Sequence, residues 1–393
     1  MTTLRSRIGF EIELTAPPGS SRRALADRLA TDHGGTVTRT SHTDSEPSLV
    51  PGMGHFWHLT PGFSVADAAG RPLASLVDDV TLVADLRREH EEAQRTSTPP
   101  APTRPDDHQY RVLSDDPRLL RLIALHTPAD TPFDRVLDDV APLFGSAVET
   151  VGDVRRLRDA SGASIALAAG LALGRERPCE IVTPPLERDH EAALEALLGP
   201  ARELGFTVPH EAAVHLHLDG APFRSVRAFG DLVRLFGWWR EPLRAALSTN
   251  PHCTRLAPLP EALLELVEQP DAGGADQPAD WSRLQAAASR TGLTKYVDVN
   301  LTQLLTDEPL RDTVEVRILP GTLEAAEITR RAGLVERLLA RCLGPEPIPR
   351  PRSADLAASV AELLALAGPE PEPGPESGPG FIPSAENVPV GRR

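Results

Sequence analysis

Four short stretches place ionisable or amide side chains at every second residue, with apolar side chains between them. Gly9-Phe10-Glu11-Ile12-Glu13-Leu14 puts Glu11 and Glu13 on one side and Phe10, Ile12 and Leu14 on the other. Ala213–Asp219 (AVHLHLD) does the same with His215, His217 and Asp219, and Thr313–Leu319 (TVEVRIL) with Glu315 and Arg317. Tyr296–Leu301 (YVDVNL) does so with Asp298 and Asn300. Two glutamates on alternate strand positions lie about 7 Å apart, and like charges that close resist ionising together unless a cation stands between them. Divalent metal ions remove that conflict. Carboxylates suit Mg²⁺, and the histidines extend the choice to Mn²⁺. An arginine beside a metal-binding glutamate suits a phosphoryl group, because its planar fork makes paired hydrogen bonds to the oxygens. The chemistry that fits is metal-assisted phosphoryl transfer.

No G-x-x-x-x-G-K-[ST] occurs, so a P-loop is excluded. A His-x-His zinc hydrolase or a cupin needs further histidines downstream, and only His252 follows His217. His55 and His58 flank Trp57 and read as a loop edge packed on the core.

Alternation with period two requires strands, and one apolar side per strand requires helices to cover it. The expected fold is α+β: a sheet packed by helices on one face, its polar face lining a cleft. Further strands are expected at Ser75–Leu86, with Asp78 and Asp79 in it, at Tyr110–Ser114, and at Cys179–Leu186, which Pro184-Pro185 stops. Helices are expected from Ser20 or Ser21 to His33, and from Asp116 to His126. Others are expected over Asp134–Phe144, Arg188–Leu204, Ser225–Leu247, Trp281–Arg290 and Glu324–Cys342. Residues 36–63 read as loops with short strands. Residues 87–109 and 269–280 read as exposed loops or insertions, the first starting as a helix.

These elements give a catalytic region over 1–344, a proline linker and short helix over 345–367, and an acidic Pro/Gly-rich disordered tail over 368–393. The chain has 393 residues and a formal charge of −15, which argues against nucleic acid as a partner. Its three cysteines lie far apart and read as reduced thiols. No signal peptide or membrane span is expected, and the expected location is the cytoplasm.

GFEIEL, CEIVTPPL, VHLHLD, YVDVNL and VEVRILPGT, in this order, resemble the amidoligase family of carboxylate–amine ligases, relatives of glutamine synthetase and glutamate–cysteine ligase. The resemblance spans most of residues 6–343. It implies a glutamine synthetase-like catalytic fold, a curved antiparallel β-sheet with a polar concave active-site face packed by helices, that joins an acid to an amine with ATP, through an acyl phosphate. By similarity, Glu11, Glu13, Glu180, His215 and Glu315 hold Mg²⁺ or Mn²⁺ ions. His217 and Arg317 meet the ATP phosphates or the acyl phosphate, with Glu315, His217 and Arg317 as the catalytic set. Asp79, Asp298 and Asn300 fall on the substrate side, and Asp79, Asp298 or water are candidates for the base that deprotonates the amine. The implied partners are small-molecule or peptide acids and amines. Two alternatives stay open: a metal-dependent phosphohydrolase, and a non-catalytic binding protein that keeps the sheet.

Overall fold

The computed structural model describes residues 3–47, 55–95, 110–171, 174–253, 255–269 and 278–369. Within them the chain is mixed α+β, built on one large open sheet whose ladders are all antiparallel.

The central strand is β1 (Ile8–Thr15), whose Ile8, Phe10, Ile12 and Leu14 are fully buried. Its neighbours are β10 (Ala213–Asp219) and β9 (Pro178–Val182). Outside β10 lie β12 (Thr313–Pro320) and the two-residue edge strand β11 (Val299–Asn300). Outside β9 come β4 (Pro72–Val77) and then β3 (His55–Ala66), which carries β2 (Thr36–Pro47) along one edge. The order then runs through β5 (Tyr110–Ser114) and β8 (Ser164–Gly170) to β7 (Val154–Arg158) and β6 (Glu149–Val151).

The apolar face of the central strands is covered by α1 (Arg22–Asp32), α4 (His190–Glu203), α5 (Val226–Trp238) and α9 (Ala325–Cys342), which share one core with it. A second, smaller core lies under α3 (Pro117–His126) on β5, β7 and β8. No described helix is long and apolar enough to cross a membrane.

Six features differ from the expectation. Residues 36–47 and 55–66 are not loops with short strands but two long strands paired antiparallel. β2 is an edge strand with half-exposed Thr, Ser and Arg side chains, so its sequence lacks an apolar stripe. β4 ends at Val77, and Asp78 and Asp79 lie in the turn after it. There Asp79 Oδ1 accepts from Thr81 N at 2.8 Å, a side-chain-made turn that competes with the ladder. The chain then enters α2 (Ala84–Arg95), whose Ala84 N and preceding Val83 N both donate to Glu211 Oε1.

Asp134–Phe144 is not a helix but two 3-10 turns, Phe133–Arg135 and Ala141–Phe144. Pro142 sits at the start of the second and a left-handed Gly145 ends it. Ser225–Leu247 is two helices, α5 and α6 (Arg240–Leu247), broken at Trp239. The break puts Pro242 in the first turn of α6, where its missing N–H costs nothing. The strand expected over Tyr296–Leu301 is reduced to Val299–Asn300. The 345–351 segment is held against the core: Ile348 is buried, its N–H donates to Asp231 Oδ1, and Trp239 Nε1 donates to Pro349 O. The helix that follows, α10 (Leu356–Ala367), buries Leu363 in the main core. The loop expected over 269–280 falls mostly outside the described residues, and so does the acidic tail beyond Pro369.

Candidate functional site

Strand register builds the site. Glu11 pairs with His215 across β1 and β10, and Glu13 pairs with Glu180 across β1 and β9. His217 pairs with Glu315 across β10 and β12, and Glu315 with Asn300 of β11. Between the pairs Val214–Leu319 and Leu216–Val316 the register shifts, so that one residue of β10, His215, stands opposite two of β12, Arg317 and Ile318. Side chains more than 300 residues apart in sequence therefore meet on one face.

His215 is the centre. Its Nδ1 stands 3.3 Å from Glu11 Oε2 and 3.6 Å from Glu315 Oε1, and its Nε2 stands 3.4 Å from Glu13 Oε1. Glu11, His215 and Glu315 each offer a ligand atom within 4.8 Å of the other two. His217 Nε2 lies 3.1 Å from Glu11 Oε1, and its Nδ1 lies 3.2 Å from Thr313 Oγ1. Arg317 holds Glu315 Oε1 at 2.5 Å while Asn300 Nδ2 donates to Glu315 Oε2 at 2.7 Å, so this carboxylate is fixed from both ends.

These groups line a cleft of about 290 Å³. Its far wall is β2, which contributes His42, Thr43 and Asp44. Lys295 reaches Asp44 at 3.2 Å, and Tyr296 donates to Ser45 O at 2.9 Å. Lys295 and Tyr296 lie just before the β11 edge, and five strands separate β12 from β2 in the sheet order. Contact between them requires the sheet to bend so that its polar face is concave.

Six carboxylates line the cleft against four Arg and Lys side chains, so the site is short of positive charge. Burial pushes Glu13 well above the usual carboxylate range, and nearby Asp79 adds to that. Burial does the same to Glu180, reinforced by Glu11, Asp79 and Glu13. Burial also acts upward on Glu11 and Glu315, but the histidines beside Glu11 and the guanidinium beside Glu315 outweigh it and hold both low. Burial and the charge of Arg317 push His215 below its ordinary value, so its imidazole is neutral and free to ligate. Burial opposes protonation of His217 too, but Glu11 outweighs it and the net shift is upward. The donor set of two ionised carboxylates and a neutral imidazole fits a divalent cation, and raised Glu13 and Glu180 beside it mark where more positive charge is wanted.

Of the residues singled out in the sequence, Glu11, Glu13, Asp79, Glu180, His215, His217, Asn300, Glu315 and Arg317 all line this cleft. Asp298 is not among the lining residues. Arg240 and Arg244 of α6 hold its two carboxylate oxygens at 2.6 and 2.9 Å, which takes it out of the set that faces substrate. Asn300 spends its side chain on Glu315 and on Thr302 N and Oγ1, so it acts as a brace rather than an open hydrogen-bonding group. Asp78 is buried away from the cleft in ion pairs with Arg175 and Arg22. Sequence reasoning missed His42, Asp44, Arg255, Lys295, Tyr296 and Arg311. Thr40-x-His42-x-Asp44 carries an alternation that points to the first two. Loop residues such as Arg255 and Arg311 carry no pattern at all.

Comparison with curated proteins and with solved structures finds no match to this chain. Comparison with family profiles finds one, described as "putative amidoligase enzyme", over residues 4–339. That span contains every strand named above and every residue lining the cleft, and the chain belongs to the amidoligase family.

Proposed function

We propose that the chain is an ATP-dependent carboxylate–amine ligase, with a glutamine synthetase-like use of the concave sheet and Mg²⁺ or Mn²⁺ at Glu11, His215 and Glu315. The observation that carries this is the Glu11–His215–Glu315 cluster with Arg317 bonded to one of its carboxylates. The bound cation neutralises charge between a carboxylate and the γ-phosphate when both occupy the cleft.

The chain's own residues supply the rest. Arg317 stands where oxygens gathered at Glu315 come within reach, and its fixed fork stabilises the negative charge that spreads over a phosphoryl group in transfer. His217, whose protonated form is favoured by its neighbour Glu11, adds a second donor on that side. The acid oxygen attacks the γ-phosphorus, ADP leaves, and the acyl phosphate then has a leaving group that an amine displaces. The products are amide and phosphate, and the nitrogen loses a proton. Asp79, which Arg255 keeps below the usual carboxylate range despite its burial, is the candidate to bind the ammonium and accept that proton. The acid and amine are small molecules or peptides of a size the cleft admits.

The test is ADP release from Mg-ATP in the presence of pooled amino acids or polyamines, with mass spectrometry of the products. The expected result is ADP formation that requires both an acid and an amine, matched by a condensed product. ADP formed equally well without amine favours a phosphohydrolase and overturns the ligase.

A further inference from the structure

Arg311 sits at the mouth of the cleft, on the loop between the 3-10 turn Thr302–Leu305 and β12. Its NH1 lies 2.7 Å from Glu11 Oε1, the same carboxylate that belongs to the Glu11–His215–Glu315 cluster. The two partners differ sharply in exposure: the Arg311 side chain is 55% exposed and that of Glu11 is 12%. The backbone beneath Arg311 is pinned on both sides. Gln303 Oε1 accepts from Leu310 N and Arg311 N, and Arg224 holds the carboxylate of the next residue, Asp312, at 2.8 Å. The guanidinium therefore swings on a fixed base, unlike Arg317, which is buried beside Glu315.

A divalent cation at the cluster and the guanidinium of Arg311 compete for the Glu11 carboxylate, since each brings positive charge to the same group. Once displaced, the guanidinium stays at the cleft entrance, because its backbone is held by Gln303 and its neighbour Asp312 by Arg224. A polyphosphate entering with the metal supplies the anion it has lost.

We propose that Arg311 is a positioning residue that exchanges partners: it occupies Glu11 as a stand-in cation while the metal is absent, and transfers to the phosphate chain of the nucleotide when metal and nucleotide bind. This rests on the ligase reading for the identity of the nucleotide, and on the metal cluster for its first half. It gives one side chain two effects of opposite sign: Arg311 opposes metal binding alone and favours nucleotide binding at saturating metal. A residue that only braces the loop produces no such pair.

The experiment is calorimetric titration of the full chain and of Arg311→Gln and Arg311→Lys, first with MnCl₂ alone and then with adenylyl imidodiphosphate at saturating Mn²⁺. For Arg311→Gln, Mn²⁺ is expected to bind about 2- to 5-fold more tightly, the scale of a half-exposed ion pair. The nucleotide analogue is expected to bind about tenfold or more weakly, the scale of a lost charged hydrogen bond. Arg311→Lys restores much of both. Mn²⁺ affinity that is equal or weaker in Arg311→Gln overturns the proposal while leaving the metal site intact, as does unchanged nucleotide affinity. Absence of Mn²⁺ binding to the parent chain overturns the proposal and the metal site together.

Discussion

Glu315 and Arg317 leave β12 on the same face, two residues apart, and their side chains meet at 2.5 Å with each only 10% exposed. The ion pair does two things at once. It keeps Glu315 ionised despite burial, and it aims a guanidinium across the metal cluster.

Arg317→Lys is expected to fold and to bind Mn²⁺ like the parent, because the positive charge beside Glu315 is retained. Turnover is expected to fall on the order of 10²-fold, the scale of losing one transition-state donor, because an ammonium lacks the planar fork. Steady-state kinetics with any working acid–amine pair checks this. Turnover near that of the parent assigns Arg317 to holding Glu315 only.

Glu11→Gln and Glu315→Gln separate ligation from stability. Both are expected to weaken Mn²⁺ binding by about tenfold or more, since even outer-shell changes reach that scale. Only Glu315→Gln leaves a buried guanidinium without its counter-charge, at a cost of about 3 kcal/mol. Titration calorimetry and a denaturant melt of the two variants read the two effects. Equal stability of the variants refutes the assignment of Arg317 to Glu315.

The three thiols are expected to differ in reactivity. Burial pushes Cys179 up to about 12 and raises Cys342 as well, and both side chains are enclosed. Burial raises Cys253 too, but this side chain is only partly enclosed and reagent reaches it. Native protein treated with iodoacetamide near pH 8 is therefore expected to be alkylated at Cys253 alone, and at all three after unfolding. Peptide mapping gives the answer, and rapid native labelling of Cys179 contradicts the burial of β9.

Leu363→Ala on α10 is expected to cost about 2–5 kcal/mol, the scale of a core leucine, because Leu363 is fully buried in the main core. Leu356→Ala, at the exposed start of the same helix, is expected to change stability by no more than about 0.5 kcal/mol. Urea midpoints measure both. Equal small effects place α10 outside the cooperative unit.

The sequence by itself determined which strands carry the site and which of their faces is polar. Period-two alternation is a local property, and in Glu11/Glu13, His215/His217 and Glu315/Arg317 it is uninterrupted, so the side of each strand follows from the residues alone. Register, partners and ionisation were decided only by the tertiary structure. The pairing of β10 with β12 sets His217 opposite Glu315, and the extra residue in β12 sets Arg317 and Ile318 opposite His215. Asp298 belongs to the same alternation as Asn300, yet Arg240 and Arg244 of another element claim it, an outcome that no spacing within YVDVNL encodes. The strand pair β2–β3 was illegible for a related reason: an edge strand needs no apolar stripe, and its place over the cleft is set by Asp44 and Ser45 meeting Lys295 and Tyr296 from the opposite end of the sheet. Electrostatic pairs act across space, and a single chain pattern records only what lies next to what along the backbone.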